Sequence, residues 1–169
     1  LQKAKGAGVI RDLTLADLPA LEALFRGAAD YVALETGAAV DGSQARAVFT
    51  DAPPGVDTAT NLRLGLFEGD RLIGKVDAAF GYPEPKDGYI GLMLLDPTAR
   101  RAGHGTRLLR VAEDRARARG AQRLLIAVLV ENAAGRAFWA RSGFVPERLF
   151  KDKEYGARRH DVQRMVKLL

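Results

Sequence analysis

Two apolar runs bracket one amphipathic run, and this arrangement limits the fold more than any other feature of the chain. Tyr89–Asp96 reads YIGLMLLD and Arg123–Val130 reads RLLIAVLV. Neither run alternates polar with apolar residues, which is the pattern of strands covered on both faces. Between them, from Thr106 to Arg119, the period becomes helical. Leu108, Leu109, Ala112 and Ala116 fall on one face, and Arg107, Arg110, Asp114 and Arg117 on the other. Gly120 is a natural stop. Strand, helix and strand in about forty residues make a βαβ unit, and the handed crossover makes the strands parallel neighbours or near neighbours.

The flanking segments extend this unit. Val9–Leu13 reads as a strand. Thr14, with Asp17 three residues on, starts a helix carrying Leu18, Leu21, Leu24 and Phe25. A second helix is expected around Ser43–Thr50, before DAPPG (Asp51–Gly55) breaks the chain. Leu62–Tyr82 reads as a hairpin turning at Gly69-Asp70, and Tyr82–Gly88 as a loop. Asn132 caps a last helix through Ser142, which Gly143 ends. Strands around Phe144–Phe150 and Asp161–Leu168 form an antiparallel hairpin. The order β-α-α-β-β-β-α-β-α-β-β predicts one α/β domain over 1–169 with a single mixed sheet.

The glycines before the amphipathic run raise the functional question. Arg100-Arg101-Ala102-Gly103-His104-Gly105 joins a buried strand to a helix start. First-turn N–H groups have no partner inside the helix, and the helix dipole favours an anion there. Side chains at 103 and 105 would keep a diphosphate from reaching those groups, and Arg100 and Arg101 add charge. The same residues also suit a plain loop and a solvated cap. No Gly-Lys-Ser/Thr is present, and Leu108 stands where a dinucleotide fingerprint needs its third glycine.

These residues resemble the GNAT superfamily of acetyl-coenzyme A-dependent N-acyltransferases. The resemblance rests on the six residues Arg100–Gly105, on MLLDP (Met93–Pro97), and on NAAGRAFWARSGF (Asn132–Phe144). It implies the acyl-CoA N-acyltransferase fold and acetyl-CoA as cosubstrate, with no metal. By matching positions it implies cofactor contacts at Met93, Leu94 and Leu95, at Arg100, Arg101, Ala102, Gly103, His104, Gly105 and Thr106, and at Asn132 and Phe138. Asn132 serves equally as a helix cap. Phe138 and Trp139 could touch cofactor, but at least one belongs to the core. His104 could bond a phosphate or tuck beneath the helix. The resemblance also implies an oxyanion donor on the backbone near Leu95. Replacing Gly103 by valine is expected to weaken coenzyme A binding far more than stability.

The chain departs from the family where acid and base are concerned. Trp139 stands where many members place a tyrosine acid, and Ala127 and Tyr89 stand where others place a glutamate base. Tyr89 is the candidate acid, with Asp87, Glu84 and Glu131 as candidate bases. Asp30, Glu35 and Asp41 are candidates to attract a cationic amine, and His160 could face the substrate entrance. The expected activity is acetyl transfer to a primary amine of a small molecule or peptide. The alternative is a catalytically weak acyl-CoA-binding sensor.

Composition narrows the partners. Cysteine is absent, and the two histidines, His104 and His160, lie far apart in the chain, so neither a thiol nucleophile nor a zinc site is expected. No apolar run approaches the roughly 18 residues of a membrane span, and LQKAKGAGVIRD lacks a signal core. A soluble, cytoplasmic protein without a membrane partner is expected. Acidic residues interrupt both arginine clusters, RARARG and GARRHDVQR, and no aromatic platform accompanies them, so nucleic acid is not expected. A homodimer is compatible with the family, but no exposed apolar stripe argues for one.

Overall fold

The computed structural model describes residues 8–169; the basic N-terminal stretch up to Ala7 lies outside the described residues. The strands are β1 (Val9–Asp12), β2 (Leu62–Glu68), β3 (Arg71–Phe80), β4 (Asp87–Leu95), β5 (Arg123–Leu129), β6 (Val145–Tyr155) and β7 (Arg158–Leu168). The helices are α1 (Leu18–Gly27), α2 (Ala29–Thr36), α3 (Ser43–Thr50), α4 (His104–Ala118) and α5 (Ala133–Arg141). The strands form one sheet in the order β1-β2-β3-β4-β5-β7-β6. Among the described residues only β4 and β5 pair in parallel, as the crossover through α4 requires.

The sheet carries a helical layer on each face. Leu108, Leu109, Ala112 and Ala116 of α4 pack with Leu64, Val76, Ile90, Leu124 and Ile126. On the other face Leu21, Leu24 and Phe25 of α1, Val32 of α2, and Ala45 and Val48 of α3 pack with Phe67, Leu72 and Leu94. Each leucine taken fully out of water contributes roughly 1.5–3 kcal/mol, so both layers are needed to hold the sheet. The β1–α1 corner is fixed by Asp17, whose carboxylate accepts from Thr14 N–H at 2.8 Å and pairs with Arg11 at 2.8 Å. The Arg11 hydrogen bond, opposed by burial, lowers this carboxyl to about 2.

Three features differ from the expectation. α2 is a separate helix, set off where the backbone turns at Ala28; it buries only Val32 and so leaves almost no apolar stripe to read. β6 and β7 are longer than expected, because β6 is exposed nearly throughout and shows no in-out alternation. The C-terminal half of β4 is not covered on both faces: Gly91 is exposed, and Leu92, Met93 and Leu95 are half-buried. That last departure marks the site.

Candidate functional site

The two central strands part company halfway along. β4 and β5 pair through Asp87–Arg123, Gly88–Leu124, Tyr89–Leu125 and Ile90–Ile126, and the pairing ends there. Beyond Ile90, β4 stays with β3, and β5 stays with β7 through Leu129. A bulge at Gly91, between the partners of Asp77 and Ala78, bends β4 away at the fork. Met93, Leu94 and Leu95 thus run along a gap in mid-sheet, where strand backbone is free to pair with an extended ligand.

The start of α4 closes the wide end of this gap. Asp96 accepts from Thr98 N–H at 2.9 Å and holds a single tight turn at Pro97–Ala99. Arg101 and Gly103 then take left-handed conformations, at φ 63° and 80°. For Arg101 that costs about 1–2 kcal/mol, strain of a kind that collects at ligand sites. Among the described residues no side chain caps α4, and the first internal bond is from Arg107 N–H to the Gly103 carbonyl at 3.1 Å. Among the described residues nothing accepts from the N–H groups of His104, Gly105 or Thr106. A Cβ at Gly103 would meet no atom within 4 Å, whereas one at Gly105 would stand 3.1 Å from the Phe138 ring and 3.4 Å from Leu95. The first turn of α4, the end of β4 and α5 therefore meet at one point.

The side chains around this point divide into free and committed groups. Arg101, Ala102 and Thr106 are exposed. Arg100 is held by Asp30, at 2.7 and 3.1 Å, and donates from Nε to the Leu95 carbonyl at 3.3 Å. His104 Nε2 stands 3.9 Å from Glu68 at the end of β2. Asn132 accepts from Gly135 N–H at 2.9 Å, so it caps α5. Trp139 is buried edge-on between Phe138 and Phe144, each ring 5.0 Å away, and is a core residue; Phe138 is half-buried.

On the opposite face, a 210 Å³ cleft lies between the central strands and the β6–β7 hairpin, with Tyr89, Ala127, Phe150, Tyr155 and Val162 in its lining. Burial raises the hydroxyls of Tyr89 and Tyr155, so both stay protonated at neutral pH. α2 bounds this side. Tyr31 donates to Glu35 at 3.3 Å; burial pushes the Glu35 carboxyl up, while Tyr31 and the His160 and Lys75 charges pull it down. His160 is buried and pins the hairpin to α2, donating from Nε2 to the Glu35 carbonyl at 2.8 Å, with Nδ1 3.2 Å from Glu131. Ala157 N–H adds a bond to the Thr36 carbonyl at 3.1 Å.

Several candidates are placed elsewhere than expected. Asp87 is 2% exposed and forms a two-pronged pair with Arg123, at 2.7 Å for each bond, at the zipped end of the β4–β5 pair. Exposed Glu84 lies three residues before it, so neither reaches the fork. Asp30 is taken by Arg100, which lowers its carboxyl, and Asp41 holds Ser43 N–H at 2.9 Å at the start of α3. Neither is free to draw in an amine. Tyr31, Lys75, Asp77 and Tyr155 were not singled out in the sequence. Lys75 and Asp77 had a visible signal, two charges at strand spacing inside the apolar run LIGKVDAAF (Leu72–Phe80). Among the described residues no three His, Asp or Glu side chains converge as a metal site, and no helix is long and apolar enough to cross a membrane.

Solved structures share this architecture. A ribosomal-protein-alanine N-acetyltransferase from Brucella melitensis superposes with a TM-score of 0.76 at 23% identity, covering 95% of this chain and 99% of that one. An acetyltransferase from Salmonella typhimurium that modifies the N-terminal serine of a 50S ribosomal subunit protein gives 0.78 at 20% identity, covering 97% and 96%. An acetyltransferase from Thermus thermophilus gives 0.70 at 23%, covering 99% and 100%. At these identities the likeness shows the fold. No curated protein matches the chain in sequence. The model of the acetyltransferase (GNAT) family matches residues 27–144, well over half of the chain, and spans both the forked strands and the uncapped helix. Acetyl-CoA is the usual donor in that family, and the chain belongs to it: it is a GNAT acetyltransferase.

Proposed function

We propose that the chain, as one acetyltransferase domain, moves an acetyl group from acetyl-CoA to a primary amine of a small molecule or peptide. The observation that carries this reading is the uncapped first turn of α4 opening onto the gap between β4 and β5. The N–H groups of residues 104–106 suit a pyrophosphate, with Arg101 free to add charge. The unpaired edge of β4 at Met93–Leu95 suits the amides of an extended pantetheine arm. Asn132 and Phe138 border the same gap, although Asn132 already serves as a cap. When bound, acetyl-CoA supplies an acyl thioester.

The chain's own groups do the rest. A β4 backbone N–H near Leu95 receives the developing oxyanion. Tyr89, kept protonated by burial, is placed on the cleft side to hand a proton to the departing sulfur. Little acid help is needed, because an ordinary thiol has a pKa of about 8.5. Positioning supplies much of the acceleration. The acceptor enters the cleft beneath the β6–β7 hairpin, with α2 as its other wall.

Calorimetry with coenzyme A, followed by thiol release from acetyl-CoA across a panel of primary amines, tests the reading. Micromolar binding and release with at least one amine are expected. No binding would remove the acetyltransferase reading. Binding with silence across the panel would favour the acyl-CoA sensor, which the loss of the usual residues at Trp139 and Ala127 also fits.

A further inference from the structure

We propose that Asp77, on β3, accepts the proton of the incoming amine. Lys75 and Asp77 are two residues apart and so share a face of the sheet. Their partners across the pair are Leu94 and Leu92, which pack in the α1–α3 layer, so both charges point to the acceptor side. Lys75 is 1% exposed, and a buried ammonium demands a counter-charge. It takes that from Asp77 Oδ2. The Asp77 side chain keeps 20% exposure, and among the described residues nothing donates to its other oxygen.

The place of that oxygen is what matters. A Cβ built on Gly91 would stand 2.2 Å from Asp77 Oδ1, so the carboxylate fills the space that the glycine leaves. Gly91 is the bulge residue, the first past the last β4–β5 pair. A carboxylate oxygen with spare acceptor capacity therefore lies at the apex of the fork, on the cleft side. Glu35 accepts from Tyr31, Glu131 meets His160 and Glu154 of β6 lines the cleft, but the three atoms nearest a Cβ built on Gly91 all belong to Asp77.

This inference rests on the acetyltransferase reading above and adds the group that reading lacks. An alkylamine has a pKa of about 10.4 and arrives as an ammonium, which Oδ1 can hold by a charge-assisted hydrogen bond. Asp77 Oδ1 takes one proton from the ammonium and passes it to water, and the neutral nitrogen bonds to the thioester carbonyl carbon. The carbon–sulfur bond breaks with its electron pair on sulfur. The nitrogen's second proton, shed once it is bonded to carbon, replaces the one that Tyr89 gives to the departing thiolate.

The test compares thiol release from acetyl-CoA with n-propylamine and with hydroxylamine, which is already neutral at pH 7. Asp77→Asn is expected to lose about 100-fold or more in kcat/KM with propylamine and under about fivefold with hydroxylamine, the scale of general-base help. Its affinity for coenzyme A should stay within about twofold, because Asp77 lies on the acceptor side. Lys75→Met with Asp77→Asn removes the orphaned ammonium and should show the same selective loss if the single variant folds poorly. Gly91→Ala keeps the carboxylate but displaces it, and should do likewise. Unchanged rates, equal losses with both amines, or a wild type that binds coenzyme A but uses neither amine would overturn the role of Asp77. A wild type that does not bind coenzyme A would instead overturn the acetyltransferase reading.

Discussion

The two ends of the parallel β4–β5 pair do opposite work with the same two strands. At the Asp87 end the strands are hydrogen-bonded, dry and clamped by a two-pronged ion pair to Arg123. At the Leu95 end they diverge, and the nearest helix begins without a cap. Backbone groups satisfied at one end stabilise the sheet, while those left unpaired at the other can be completed only by water or a ligand. Both follow from a parallel pair, whose strands start together and whose C-terminal ends face the helix N-terminus. A site at this end can be altered without unzipping the sheet, provided the clamp at the other end holds.

Four substitutions test that division, in order of expected size. Asp87→Ala leaves Arg123 only its longer pair to Glu147, at 3.9 Å, and should cost about 2 kcal/mol in denaturant unfolding, less than a fully buried pair because Arg123 is partly solvated. Coenzyme A affinity in the folded protein should be unchanged; a matching loss of affinity would mean that the two ends are coupled. Gly103→Asn should do the reverse, weakening coenzyme A about tenfold, or about 1.4 kcal/mol by calorimetry, with a smaller change in melting. Asparagine is the cleaner choice because φ at Gly103 is 80°. Valine there would strain the backbone and cost stability as well, which corrects the expectation from sequence.

Asp17→Asn, at the β1–α1 corner away from both ends, should cost about 1 kcal/mol at neutral pH and leave cofactor affinity alone. Its carboxyl is depressed in the folded state, so its contribution is present above the unfolded value of about 3.9. That contribution is lost as pH falls from there towards about 2, and the variant's acid-unfolding curve should be flatter in that window. The smallest effect is at Asp30→Asn. Its pair with Arg100 is exposed and is worth about 0–1 kcal/mol, so melting should barely move. The released guanidinium should bind coenzyme A slightly tighter at low salt, with the gain fading as salt rises.

Much of the fold could be read from the chain because its signals are local. An unbroken apolar run marks a central strand, a 3.6-residue period marks α4, and Gly69 marks the β2–β3 turn. α2 escaped because a helix that buries one side chain writes almost no period. β6 reads too short because an exposed strand need not alternate. In the site, Arg100–Gly105 and Asn132 were legible as a spacing, yet Arg100's partner at Asp30 was not, since 70 residues separate them. Asp87 looked like a candidate base by nearness in sequence, and the direction of β4 puts it at the wrong end.

The amino-acid order alone determined the crossover, the glycine-flanked helix start and the absence of the usual acid and base at Trp139 and Ala127. Each of these is a matter of neighbours along the chain. Only the tertiary structure decided where β4 leaves β5, which charges neutralise one another, and that Asp77 Oδ1 lies at the fork. Those depend on strand register and on contacts between distant segments, where a shift of one residue would turn every side chain to the other face.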